Sequence, residues 1–327
     1  MTRSGAARRG RRPLAAVRVE ARAKLNLGLA VGPKRADGFH DLATIFQSVS
    51  LADTLIARRR PRGFSLQVRF EDAALRSGAL ARGASGGRAR AAVPAGRGNL
   101  VLVAARAFAR ATGIRGGARF ELVKRIPAGA GLGGGSADAA AALAALAALY
   151  RVRWTSGQWE VVAGEIGSDV PFAMRGGTAL GLGRGERLKR IALARPFHAL
   201  LAVPGWRVST TLAYRKLDHN KYALTGWAAK LRFAQNLGRK SVSASRAILL
   251  GNSFESVLGR RERDFLSLRS RLEAAGLRRI RMTGSGSALF GIIPSRVSAL
   301  AVASRFAGPE ALYEVKSERA GLRLHRI

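Results

Sequence analysis

The sequence predicts an α+β fold in two domains, and three observations carry that prediction. Residues 16–31 place apolar side chains at alternate positions (Val17, Val19, Leu25, Leu27, Leu29, Val31), the period-two pattern of strands. A strand-like run at 118–125 leads through a glycine-rich loop into the Ala/Leu-rich stretch 136–150, which reads as a helix. The second half then alternates strand-like and helix-like segments at 198–203, 264–275, 278–282, 288–293 and 295–306.

Taken in order, residues 1–15 form a basic start expected to be disordered, and 16–31 hold one or two strands. A loop, PKRADGF, occupies 33–39, and strand material returns at 42–51, 54–57 and 64–70. Residues 72–98 fall to Ala, Gly, Arg and Ser with little to bury, and read as a long mobile loop. Asn99 is a helix cap for 100–112 and Gly113 ends that helix, because asparagine satisfies free N–H groups and glycine tolerates the left-handed exit. After the strand at 118–125, Ser136 marks the start of the long helix, 156–166 forms another, and 176–188 reads as a hairpin. The domain boundary is expected near 194, giving a first domain of 16–193 and a second of 194–327.

Composition excludes whole classes of chemistry. The chain of 327 residues has no Cys, which removes disulfides, thiolate metal sites and cysteine nucleophiles, and its four His are scattered, so no dedicated metal site is expected. The apolar run 139–149 is far short of the roughly 20 residues a membrane span needs, and no membrane partner is expected. The apolar stretch 14–17 is broken at once by Arg18 and Glu20, whereas a signal peptide needs about 7–15 apolar residues. A cytoplasmic enzyme is the expectation, with an Arg-rich organellar presequence as the alternative. Lys and Arg number 57 against 20 Asp and Glu, a formal charge of +37, but they spread along the whole chain with only four Trp and four Tyr to stack bases. No specific nucleic-acid partner is expected, only loose adhesion to polyanions at low salt.

Chemistry concentrates in one loop. Gly129, Gly131, Gly133, Gly134 and Gly135 lie between a strand and a helix. Glycine lets the backbone approach a ligand closely, and the helix N-terminus carries about half a positive charge, so the pair makes an anion site suited to phosphates. A Walker A loop fails because no Lys follows the glycines. Gly129, Gly131 and Gly134 satisfy the dinucleotide spacing, but the acidic residue needed about 20 positions on is missing where the chain reads Tyr150, Arg151, Val152, Arg153. A turn that needs glycine only for packing would use one or two. Asp138, near the helix start, reads first as a charge favouring the helix dipole and second as a ligand.

PAGAGLGGGSADAA, 127–140, is similar to the ATP loop of the GHMP kinases, small-molecule kinases named for galactose, homoserine, mevalonate and phosphomevalonate. RMTGSGSALFG at 281–291 resembles their C-terminal glycine loop, and GSDVPF at 167–172 supplies an Asp in the position of their catalytic carboxylate. Within that family, the block 23–55, with Lys-x-Asn-Leu followed by Arg-x-Asp-Gly-aromatic-His, resembles the 4-diphosphocytidyl-2-C-methyl-D-erythritol kinases.

The resemblance implies the two-domain GHMP kinase fold, with a ferredoxin-like α+β second domain. It implies transfer of the ATP γ-phosphoryl to the 2-hydroxyl of 4-diphosphocytidyl-2-C-methyl-D-erythritol, on the non-mevalonate route to isoprenoids, with Mg²⁺ arriving on the ATP. Carried over residue by residue, Asp169 deprotonates the hydroxyl and Lys24 pairs with it and offsets phosphoryl charge. The ATP loop comprises Pro127, Ala128, Gly129, Ala130, Gly131, Leu132, Gly133, Gly134, Gly135, Ser136 and Ala137. Gly284, Ser285 and Gly286 approach the phosphates. Phe39 and Tyr214 sandwich the cytosine, His40 reads it, Asn26 holds the erythritol part and Thr210 lies near the acceptor. Taken singly, Asp169 would pass for a helix cap, Lys24 for an exposed strand residue, His40 for a loop histidine and Phe39 for a core aromatic.

The chain departs from the family where Phe39 lacks a tyrosine hydroxyl, where Ser253 replaces the Asp of an Asn-Asp-Leu-Glu block, and in the length of 72–98. The alternatives are a GHMP kinase with another acceptor, and a kinase-like protein that binds nucleic acid without catalysis.

Overall fold

A computed structural model describes residues 14–71, 96–219, 226–239 and 241–327. Of the basic start expected over 1–15, residues 1–13 lie outside the described residues, and of the segment 72–98, expected as a long loop, so do 72–95.

The chain opens with two long antiparallel strands, β1 (Ala16–Lys34) and β2 (His40–Arg60), followed by β3 (Phe64–Phe70). Helix α1 (Leu100–Thr112) is capped by the Asn99 side chain and leaves through Gly113 at φ 71°, as the sequence predicts. Strand β4 (Gly117–Lys124), helices α2 (Gly134–Tyr150), α3 (Ser156–Ile166) and α4 (Val170–Arg175), and the hairpin β5 (Thr178–Gly183) and β6 (Arg187–Arg190) complete the first half. The second half runs β7 (His198–Val203), α5 (Thr210–His219), α6 (Trp227–Leu237), α7 (Ala244–Ala247), α8 (Glu262–Ala274), β8 (Arg281–Met282), β9 (Leu289–Ile293), α9 (Arg296–Arg305), β10 (Ala311–Lys316) and β11 (Leu322–Arg326).

These strands make two sheets. In the first the order is β11-β1-β2-β4-β3, with β5 and β6 continuing from the other portion of β2; in the second it is β10-β7-β9-β8. Strand β2 serves two partners along one edge, β5 over 42–47 and β4 over 54–60. It runs unbroken where the sequence suggested two strands, because Asp53 sits inside it fully buried, accepting hydrogen bonds from the backbone N–H of Arg125 (2.5 Å) and Ile126 (2.8 Å). A buried carboxylate satisfied in this way no longer has to mark a loop.

Helix α2 packs on β1 and β2 with α1 and α4 beside it. Its alanines 139–142 and Leu143 and Leu146 are buried on every side, so it is a core helix rather than an amphipathic one. It starts at Gly134 with Gly133 as its cap, not at Ser136, because the left-handed Gly133 (φ 70°) already turns the chain into the helix.

The second sheet faces two cores. Leu200 and Ala202 of β7 pack with α5, α8 and α9, whereas Ala199 and Leu201 join the core of the first sheet. The last strand, β11, crosses back over the boundary expected at 194 and pairs with β1 at 17–21.

Candidate active site

Strand β1 is irregular where its chemistry lies. Its pairing with β2 shifts register between Arg22 and Lys24 and again between Asn26 and Gly28. Such bulges re-aim side chains, and here both Lys24 and Asn26 are buried, 8% and 3% exposed. The Lys24 ammonium donates to Asn26 Oδ1 and lies 3.4 Å from Asp169 Oδ2. Asn26 Nδ2 donates to Thr44 Oγ1 (2.8 Å), and that hydroxyl donates to the Gly28 carbonyl (2.8 Å).

Asp169 occupies the position before α4, yet its side chain makes no capping hydrogen bond. The cap reading therefore fails, and the carboxylate turns to Lys24 with about a third of its side chain open to the cleft. Lys24 is likewise no exposed strand residue.

Two glycine loops meet over this pair. The backbone N–H of Lys24 donates to Leu132 O (3.0 Å) and that of Ala288 to Ala130 O (3.1 Å), so the loop of 127–136 is tied to both β1 and the loop of 283–288. At Gly131 (φ +80°) a Cβ would stand 2.1 Å from the Thr283 carbonyl oxygen, and at Gly133 (φ +70°) it would meet the Lys24 side chain at 2.9 Å. Only glycine permits this approach. Thr283 Oγ1 accepts from the Asn26 N–H (3.0 Å), and Asn252 Nδ2 donates to the carbonyls of Met282 (2.8 Å) and Gly284 (2.9 Å), pinning the second loop. Ser253 is buried and its hydroxyl accepts from the Val31 N–H (3.0 Å).

The first loop is a wall between two spaces. On one side is a cleft of about 710 Å³ that holds Lys24, Asn26, Asp169, Ser136, the second loop's Gly284, Ser285 and Gly286, and at its far end Phe39, His40, Thr210 and Tyr214. On the other is a cavity of about 320 Å³ bounded by Asn99, Leu100, Pro127, Ala128, Gly134, Gly135, Lys124 and Asp138. Gly129, Gly131, Gly133 and Ser136 line both. Leu132 lines the smaller space, while the methyls of Ala130 and Ala137 are buried. Thr210 Oγ1 is 2.7 Å from Ser285 Oγ, which links the start of α5 to the second loop.

Below the loop lies a buried triad. Lys124 bonds to Asp53 and, at 2.7 Å, to Asp138. Burial alone would lower the Lys124 ammonium, but the Asp138 and Asp53 carboxylates together raise it above its usual range. Burial pushes the Asp138 carboxyl well up; Lys124 opposes the rise and the like charge of Asp53 adds to it. Asp138 therefore does not serve the helix start: it is buried in the core beneath the loop, and no acidic residue occupies the first turn of α2.

At the far end, His40 is 6% exposed and its ring stacks on Tyr214 with centroids 5.2 Å apart. Its Nδ1 is 2.9 Å from the Gly32 carbonyl and its Nε2 is 2.9 Å from Asp218 Oδ1, so both ring nitrogens are engaged within the protein. Phe39 is no core aromatic: it is 48% exposed, with the Arg184 guanidinium 4.7 Å from its ring centre. Burial, and then the charge of Asp169, push the Tyr214 phenol up to about 12, so it stays protonated beside the cleft. Sequence reasoning did not single out Thr44, Thr283, Arg184, Asp218 or Lys124: Thr44 and Thr283 lie inside the blocks 23–55 and 281–291 without standing out in them, and each of the five acquires its place only through pairing across the sheet or between the two halves.

The GHMP kinases N terminal domain family matches residues 99–177, the stretch that carries the first glycine loop and Asp169. The 4-diphosphocytidyl-2-C-methyl-D-erythritol kinase of Pelotomaculum thermopropionicum is 38% identical over 88% of this chain and 92% of its own length. That of Gloeobacter violaceus is 35% identical over 94% and 96%. A crystal structure of 4-(cytidine 5'-diphospho)-2C-methyl-D-erythritol kinase superposes with a TM-score of 0.69 at 34% identity, covering 92% of this chain and 98% of that one. With likeness at this level running through most of the length of this chain and of each relative, and with both glycine loops and the Lys24–Asp169 pair in place, the chain belongs to the 4-diphosphocytidyl-2-C-methyl-D-erythritol kinase family of the GHMP kinases.

Proposed function

We propose that the chain transfers the γ-phosphoryl group of ATP to the 2-hydroxyl of 4-diphosphocytidyl-2-C-methyl-D-erythritol. The observation that carries this reading is the 3.4 Å pair of Lys24 and Asp169, placed in one cleft between a phosphate-type glycine loop and an aromatic end formed by Phe39 and Tyr214. Phosphoryl transfer asks little of a protein beyond positioning and charge stabilisation. ATP lies along 127–137, its phosphates against the backbone N–H groups at the start of α2, and Gly284–Gly286 closes over them. Asp169 takes the proton as the acceptor oxygen attacks the γ-phosphorus and the bond to ADP breaks. Lys24, held by Asn26, neutralises charge that builds on the transferred group.

Mg²⁺ enters with the nucleotide as part of the substrate, and Ser136, the loop hydroxyl that lines the cleft, would be the side chain to approach it. The acceptor's base lies between Phe39 and Tyr214, with Asn26 and Thr210 nearer the reacting end. Since both ring nitrogens of His40 are engaged inside the protein, its share in reading the base falls to its ring face and backbone.

The test is ADP release by the purified chain with Mg-ATP and this acceptor, beside Asp169→Asn and beside an acceptor that lacks cytidine. Release should need both the cytidine and Asp169, with kcat falling by about 10²–10⁴ in the variant, the usual worth of a general base. A folded, ATP-binding protein that releases no ADP with the cytidine acceptor defeats the reading.

A further inference from the structure

At the acceptor end of the cleft, α5 contributes to the lining a carboxylate that the reaction does not use. Asp218 lies one helical turn beyond Tyr214, so both project from the same face of α5. Its two oxygens hold two different residues of the first half: Oδ1 is 2.9 Å from His40 Nε2 and Oδ2 is 3.1 Å from Lys34 Nζ. Lys34 ends β1 and His40 begins β2, and the two are register partners. Between them runs the turn 35–39 that presents Phe39.

That turn is stiff in itself. Arg35 pairs with Asp37 (3.0 Å) and Asp41 (3.2 Å), the Arg35 N–H donates to Phe39 O (2.6 Å), and Asp37 accepts from the Phe39 N–H (3.1 Å). A stiff turn moves as a body, and its position relative to Tyr214 is then set by what holds its base. Asp218 grips both ends of that base, and the Tyr214 ring stacks on one of them. The two grips differ in weight. Lys34 is about half exposed, and such a pair contributes little, whereas the His40 ring is buried and replacing its partner leaves a buried nitrogen unpaired.

We propose that Asp218 is a positioning residue for the nucleobase of the acceptor: by holding His40 and Lys34 it sets the separation between Phe39 and Tyr214, and so the slot into which the base stacks. The inference rests on the acceptor assigned above. It places specificity for the base in a residue of the second half acting on a turn of the first, with no contact between Asp218 and the reacting atoms.

The experiment titrates the full chain, Asp218→Ala and Asp218→Asn with CDP by calorimetry, and with AMP-PNP as a probe of the ATP loop. Alanine should weaken CDP by about tenfold or more, the equivalent of one hydrogen bond to a charged group, and leave AMP-PNP within about twofold. Asparagine, which can pair with Nε2 as acceptor or donor, should restore CDP to within about threefold of wild type. In turnover, alanine should raise KM for the cytidine acceptor and leave kcat and KM for ATP within about twofold. Asp218→Ser, too short to reach His40, replaces the alanine chain should that chain not fold. Equal CDP binding by wild type and alanine overturns the proposal, as does a fall in kcat with the acceptor KM unchanged. A wild-type chain that binds AMP-PNP but not CDP removes the acceptor assignment, and the proposal with it.

Discussion

Three carboxylates near the centre of the molecule show how burial divides labour among one residue type. Asp169 keeps a third of its side chain open and faces a single cation. Asp53 is sealed but accepts two backbone N–H groups as well as Lys124. Asp138 is sealed against Lys124 and beside the like charge of Asp53, and its Oδ1 has no hydrogen-bond partner among the described residues. Its folded-state affinity for a proton is therefore raised, chiefly by burial. A carboxyl raised in this way contributes its full stability below the unfolded value of 3.8 and loses it as pH rises from there through the folded value. Asp138→Asn removes that loss while leaving Lys124 paired with Asp53. The melting temperature of the variant, relative to wild type, should climb as pH rises above the unfolded value of 3.8 and through the raised folded value. A difference that stays constant over that range rules the account out.

At the scale of elements, the site depends on loops locked by one another more than on any single helix. The two glycine loops touch backbone to backbone at Gly131 and Thr283, while Asn252 pins the second loop from the other side. Gly131→Ala must leave a left-handed conformation and displace the Thr283 carbonyl, a cost of at least about 1–3 kcal/mol from the backbone alone. The expected outcome is a lower melting temperature together with a raised KM for ATP; an alanine chain with both unchanged contradicts the packing described. Much of this level was legible. The caps Asn99 and Gly113, the helix at 156–166 and the hairpin after 176 follow from local chemistry that acts within a few residues. What was not legible is the continuity of β2, because Asp53 reads as a loop residue until Lys124 and the 125–126 backbone arrive from another strand. The start of α2 was also missed by two residues, since Gly133 rather than Ser136 makes the turn.

For the whole molecule, 57 Lys and Arg against 20 Asp and Glu leave a formal charge of +37, a repulsive load on the compact state. The Debye length falls from about 30 Å at 0.01 M salt to about 8 Å at 0.15 M, so the melting temperature should rise over that interval. An unchanged value means that the surface cations are already spaced or paired well enough not to matter. Adhesion to polyanions at low salt follows from the same charge and should vanish over the same interval.

The sequence by itself determined the α+β class, the glycine loop that opens α2 and, by resemblance, the family and the pairing of Lys24 with Asp169. These are legible because each rests on residues close together in the chain, where backbone chemistry and motif spacing act locally. Tertiary structure alone decided which face each of those residues shows. It turned Asp169 away from its helix and toward Lys24, buried Asp138 instead of leaving it at a helix start, engaged both nitrogens of His40, and brought β11 back to β1 across the expected boundary. In each case the deciding partner lies far away in sequence, and a polar group's role follows from the partner it finds once water is excluded.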